Sequence, residues 1–162
     1  EISNAFEITN YRKLSSTSDM VGKVSFFGKT ITGLSDDVRI SKRLTVPSSK
    51  LRGFQRGKVG PVDNNDYVGG NHVSSLNLSA TLPTLVQGLD NLDVGVFFDA
   101  ANVWGVDYDS SIDDKSTVRS SAGVALNLMT PIGPLSFSFA NALSKASSDK
   151  TETFRFNLGT QF

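Results

Sequence analysis

From residue 71 onward, apolar and polar side chains alternate with a period of two through segment after segment, and this pattern restricts the fold more than any other feature. Leu76, Leu78, Ala80 and Leu82 share one face, with Ser75, Asn77, Ser79 and Thr81 on the other. Leu92, Val94, Val96, Phe98 and Ala100 oppose Asp93, Gly95, Phe97 and Asp99. Ala122, Val124, Leu126 and Leu128 oppose Ser121, Gly123, Ala125 and Asn127, and Leu135, Phe137 and Phe139 oppose Ser136, Ser138 and Ala140. Phe154, Phe156, Leu158 and Phe162 oppose Thr153, Arg155, Asn157 and Gln161. Two less regular strands precede these five, with Phe6 and Ile8 against Glu7, Thr9 and Lys13, and Val24 and Phe26 against Lys23, Ser25 and Lys29. The pattern predicts an all-β, antiparallel chain of about seven strands.

A soluble β-sandwich or a lipocalin-like barrel alternates too. Such a fold turns its apolar phase inward and covers its outside with charge. Here the polar phase is mostly Ser, Thr, Asn and Gly, which suits a crowded wet lumen, so a transmembrane β-barrel is the preferred reading. Strands of roughly 10 to 13 residues fit that reading, since a tilted spanning strand needs about 9 to 11. The connections agree: "VDYDSSIDDKS" between the fourth and fifth strands is long and acidic, whereas "TPIGP" is a tight turn. No run of about 18 apolar residues exists, but a barrel needs none. The chain begins with neither Met nor a basic-then-apolar leader.

Composition excludes several functions. The chain has 162 residues, and its 16 basic and 16 acidic side chains cancel, which gives no reason to expect nucleic acid. Without cysteine and with the single His72, neither a thiolate nor a histidine metal site can be assembled. Asp107, Asp109, Asp113 and Asp114 lack the glycine and final glutamate of a calcium loop and read as a solvated loop. "DNND" at 63 to 66 reads as a turn, and "NLS" at 77 to 79 lies inside a strand and is discounted as a glycosylation site. Trp104 and Tyr108, where a strand leaves the membrane, read as members of an aromatic girdle. No nucleophile with a base and no phosphate-cradling loop is present, so the chain reads as a non-enzyme without a cofactor.

Residues 33–70 form a long irregular stretch between strands, and it carries recognisable words. "LRGF" at 51 to 54, "GP" at 60 and 61 and "GGN" at 69 to 71 occur in that order. "VGVFFDAANVW" at 94 to 104, "RSSAGVALNLMTPIGPLSFSFA" at 119 to 140 and a terminal "TETFRFNLGTQF" follow. From about residue 20 to the end, this ordered set resembles the C-terminal part of the barrel in the BamA family of bacterial outer-membrane protein assembly factors.

The resemblance implies a sixteen-stranded barrel that inserts nascent β-barrel proteins into the outer membrane. It also implies preceding periplasmic domains of the POTRA type, through which accessory lipoproteins bind. Those domains and the first barrel strands are absent from these 162 residues, so the chain reads as a piece of a longer protein. In such a barrel the long loop folds into the lumen as a lid, and its arginine is held by acidic groups of the wall. Arg52, Gly53 and Phe54 match the loop motif, and Asp99, on the lumen phase, matches an acidic partner. The position of a second acidic partner is held here by Asn77, which can hydrogen-bond but carries no charge. The resemblance further implies that residues 150 to 162, with Phe154, Phe156, Gly159 and Phe162, form one side of a lateral gate. A two-partner secretion transporter with a similar loop, or a passive pore, are the alternative functions.

Overall fold

The computed structural model describes residues 1–83, 88 and 90–159. Seven antiparallel strands form one sheet: β1 (Ile2–Lys13), β2 (Val21–Thr32), β5 (His72–Thr81), β6 (Leu92–Trp104), β7 (Arg119–Thr130), β8 (Gly133–Ser144) and β9 (Phe154–Leu158). Each neighbour in space is the next sheet strand in sequence, so the sheet is an up-and-down meander. The remaining two, β3 (Val62–Asp63) and β4 (Asp66–Tyr67), pair as a small hairpin inside the long loop between β2 and β5. Asn64 and Asn65 turn that hairpin with φ of 47° and 70°, the left-handed conformation that a two-residue hairpin turn requires and Asn tolerates.

Burial is inverted with respect to a soluble sheet. Phe6, Ile8, Val24, Phe26, Leu76, Leu78, Val96, Val124, Phe139, Phe154, Phe156 and Leu158 are exposed, all from the apolar phase. Ser25, Ser75, Asp99, Ser121 and Ser138 are buried, all from the polar phase. In water this would forfeit the hydrophobic effect over a whole face, whereas in a bilayer the outer phase meets hydrocarbon and the ladder satisfies the backbone internally.

The long loop, residues 33–71, covers the inner face at one end. Val38, Leu44, Val46, Leu51, Phe54 and Val59 of the loop pack on Ile31, Val73, Ala101 and Val103. These last four are inner-phase residues near the loop ends of β2, β5 and β6, so the inner phase changes from polar to apolar where the loop lies on it. The other two connections at this end, residues 105–118 and 145–153, join the loop in one cap. Tyr108 donates its hydroxyl to Asp63 across 2.9 Å, and Tyr67 donates to the Ser148 carbonyl, so β3 and β4 are tied to both.

Two sequence expectations are corrected here. Tyr108 turns into the cap, its ring 4.8 Å from the Arg43 guanidinium, instead of joining a lipid-facing girdle, because Asp63 and Arg43 supply a polar and a cationic partner. Trp104 stays on the outer phase at the end of β6, its ring tilted against that of its register partner His72 with centroids 5.5 Å apart. Among the described residues the terminal strand also starts later than residue 150. The β8–β9 ladder covers Phe154–Leu158, and residues 150–152 direct their backbone groups to the long loop instead. Phe162 lies outside the described residues.

Candidate functional site

β6 is inner-facing at odd positions, which aims Asp99 at the underside of the loop, where its side chain is fully buried. Arg52 meets it with a two-pronged grip, Nε to Oδ2 at 2.7 Å and Nη2 to Oδ1 at 2.8 Å, and the Arg52 backbone N–H adds a third bond to Oδ2 at 3.1 Å. A rigid guanidinium fork matches a carboxylate in this way and an ammonium does not. The guanidinium carbon also lies 3.5 Å from the centroid of the Phe97 ring, two residues away on the same face of β6.

Asn77, the register partner of Asp99 on β5, donates one amide group both to Asp99 Oδ1 at 2.9 Å and to the Lys50 carbonyl at 2.8 Å. As an amide it is a donor here, a role a second carboxylate could fill only when protonated. Ser121 of β7 donates to the Arg52 carbonyl at 2.5 Å, so β6 and β7 hold the residue directly while β5 holds Asp99 and the neighbouring Lys50 carbonyl. Gly53 follows with φ +88°, and a β-carbon there would lie 3.1 Å from the Ala140 Cβ and 3.2 Å from the Ser121 Cβ. Conformation and space both call for glycine. Phe54 leaves this polar group and enters the apolar cluster under the loop, 2% exposed.

The proposed gate residues lie elsewhere. Phe154 and Phe156 point to the outer face, where Phe137 and Phe139 of β8 pack on them with ring centroids 5.0 to 6.4 Å apart. Gly159 stands just beyond β9 with φ +102° and open space around its α-carbon, while its N–H still bonds the Pro134 carbonyl. The backbone angle alone selects glycine there.

Three ion pairs in the cap or beside it escaped the sequence reading. Arg119, at the start of β7, grips Asp149 of the β8–β9 connection at 2.8 and 3.2 Å, with side chains only 4% and 0% exposed. Asp149 also accepts the N–H groups of Gly60 and Ala146, and Arg119 donates to Asn102 and the Thr117 carbonyl. Arg43 pairs with Asp107, which accepts from the Val38 N–H and the Asn71 amide. Burial opposes the charge on Asp107, but those donors and the guanidinium outweigh it and hold the carboxyl at about 2. Asp107 is thus a partner inside the cap, not a solvated loop residue, because Arg43 reaches it from the long loop. Burial and the neighbouring Asp63 push the Tyr108 hydroxyl up. Lys50 pairs with Glu7 of β1, which fastens the loop to the far side of the sheet. Parity marks Arg119 and Glu7 as inner-facing in the sequence, but nothing local indicates their partners. Among the described residues no cluster of His, Cys, Asp or Glu could hold a metal ion.

A polar hollow of about 480 Å³ remains below the clamp, lined in part by Glu7, Lys23, Asn77, Asn127, Arg155 and Asn157. A polar lumen wall, an apolar outer face and a clamped loop together are the marks of an outer-membrane barrel with an internal lid. The model of the Omp85 superfamily domain matches residues 3–162.

The chain belongs to the Omp85 superfamily.

Relatives within this Omp85 group carry one description. The outer membrane protein assembly factor BamA of Neisseria meningitidis serogroup B is 32% identical over 141 residues, taking in 69% of this chain and 17% of the relative. BamA of Neorickettsia risticii is 28% identical over 117 residues, with 70% of this chain and 16% of the relative covered. The crystal structure of BamA from Haemophilus ducreyi lacking POTRA domains 1-3 superimposes with a TM-score of 0.78 at 28% identity, over 95% of this chain and 34% of that one. The chain is similar to the C-terminal part of the BamA barrel, and its place is the bacterial outer membrane. It spans about a sixth of the length of these curated relatives.

Proposed function

We propose that the full-length protein folds and inserts other β-barrel proteins into the bacterial outer membrane, and that the seam beside β9 is its lateral gate. The observation that carries this reading is the shortness of the terminal pairing. Among the described residues β9 has 5 residues, whereas the other six sheet strands have 10 to 13. A strand held to its inner neighbour by so few ladder bonds shifts at least cost, and the backbone groups of its other edge, at the seam, offer a template to an incoming strand by β-augmentation. The relatives named as assembly factors support the same reading.

No nucleotide or bond-making chemistry is needed. The incoming chain supplies the driving force as its backbone groups pair and its apolar face enters lipid. The protein lowers the barrier by offering the first edge and by thinning the bilayer next to a short strand. Further strands, POTRA-type domains and the accessory lipoproteins they bind complete the assembly. The lid, clamped by Arg52 on Asp99, keeps the lumen closed while the seam works.

The test uses the full-length protein in proteoliposomes with its accessory partners. An unfolded outer-membrane barrel protein is supplied, and the fraction that becomes protease-resistant and migrates as folded without heating is scored. Acceleration over empty liposomes, reduced in Arg52→Ala, is the expected result. Ion conductance or export of a passenger without any acceleration would replace this reading with a pore or a secretion transporter.

A further inference from the structure

The inner phase of β9 carries Arg155, whose side chain is only 11% exposed. Its guanidinium donates through Nη1 to the Ser48 carbonyl at 2.7 Å and through Nη2 to the Phe54 carbonyl at 2.5 Å. Both acceptors belong to the long loop, and they bracket the Arg52 turn. One rigid fork therefore spans the turn and is satisfied twice only while that turn keeps its closed shape. The backbone just before β9 makes a second connection. Glu152 N–H donates to the Gly53 carbonyl at 3.0 Å, Gln55 N–H to the Lys150 carbonyl at 2.9 Å, and Lys150 N–H to the Lys58 carbonyl at 3.0 Å. The loop thus pairs with residues 150–152 where β8 does not.

We propose that Arg155 is a positioning residue that couples the seating of the lid to the freedom of the terminal strand. The lid is held from below by Asp99, Asn77 and Ser121, and from the side by Arg155 and residues 150–152. Release of either hold weakens the other, because the two carbonyls that Arg155 bonds move apart once the turn opens. Coupling of this kind is reciprocal in free energy. Loss of the Asp99 clamp therefore loosens β9, even though the hydrogen bonds of Arg52 itself go to Asp99 and Ser121 and none to β9. Used as control over gate opening, this coupling rests on the function proposed above; as a property of the barrel it does not.

The measurement is amide hydrogen exchange on the full-length protein in lipid nanodiscs, read on peptides covering 48–55 and 153–158. Arg155→Gln is expected to speed exchange in both segments by about tenfold, the factor that corresponds to about 1.4 kcal/mol. Arg52→Ala is expected to do the same, and the double variant to add little to either single one. Arg155→Lys, whose ammonium can serve one carbonyl well but not span both, should fall between wild type and Arg155→Gln. Arg52→Lys gives a milder disturbance of the clamp, should Arg52→Ala fail to fold, and should still speed exchange in 153–158. Effects confined to the mutated residue's own segment, and additive in the double variant, would overturn the proposal. Substrate folding is scored separately on the same samples, so coupled exchange without substrate folding would remove the assembly function and leave the coupling standing.

Discussion

Replacing Asp149 by Ala leaves the Arg119 guanidinium charged in a site where the pair is almost wholly removed from solvent. The carboxylate accepts four hydrogen bonds there, two from Arg119 and one each from the Gly60 and Ala146 N–H groups. Breaking a buried pair from one side typically costs about 3–5 kcal/mol, chiefly through the stranded charge. The cap should therefore open at much lower urea while the strand ladders persist. Arg119→Met with Asp149→Leu removes both charges and fills the space with apolar atoms, which is often neutral or stabilising. The Gly60 and Ala146 N–H groups still lack their acceptor in that double variant, so a residual loss of about 1–3 kcal/mol for each one left buried is expected. The assay is urea-dependent proteolysis of residues 57–60 and 145–149 in the full-length protein in micelles. A double variant as labile as Asp149→Ala would refute the argument that burial of charge dominates. A single variant with wild-type resistance would refute the whole account of this pair.

Phe54→Ala should loosen the loop by about 3–5 kcal/mol, because a 2%-exposed ring leaves the apolar cluster, and protease resistance of the loop reports it. Gly53→Ala places a β-carbon close to Ala140 and Ser121 at a positive φ, and should lower the same resistance by about 1–3 kcal/mol. Asn77→Asp turns a donor shared by Asp99 and the Lys50 carbonyl into an acceptor facing both, and should weaken lid seating by about 1–3 kcal/mol, whereas a gain in resistance would contradict the assigned donor role. The carboxyl of Asp107 lies below its ordinary value of 3.8, at about 2, so its contribution is complete above about pH 4 and is lost as pH falls through 2. Exchange of the Val38 N–H, corrected for intrinsic rates, should follow that window and lose its pH dependence in Asp107→Asn.

Strand number and facing were legible because alternation is a local property with a period of two. Counting from Leu92 is enough to put Asp99 inside and Phe98 outside. The loop was legible only through its words, since nothing in the periodicity of residues 33–70 says that they return to the inner wall. The pairs made by Arg119, Arg43 and Arg155 were not legible at all. Their partners stand 30, 64 and 101 to 107 residues away, across loops whose path depends on the whole sheet. The terminal strand was overestimated for a related reason. Residues 150–153 run directly into the alternating terminal segment, but the long loop competes with β8 for their backbone groups and holds most of them. A local pattern cannot register a competitor that arrives from another part of the chain.

The inverted burial has a consequence for the order of events when this chain folds. Beyond the few inner-phase residues Ile31, Val73, Ala101 and Val103, the strands have no apolar inner face around which they could collapse in water, and the buried apolar cluster is completed only when the loop lies across β2, β5 and β6. The loop leaves β2 and re-enters at β5, and apart from the Lys50–Glu7 pair to β1 its clamps stand on β6, β7 and β9, all of which are synthesised later. It has nowhere to settle until those strands are in register. Acquisition of protease resistance by the loop is therefore a clock for completion of the wall, and a wall with one strand out of register would be left unlatched and open to degradation.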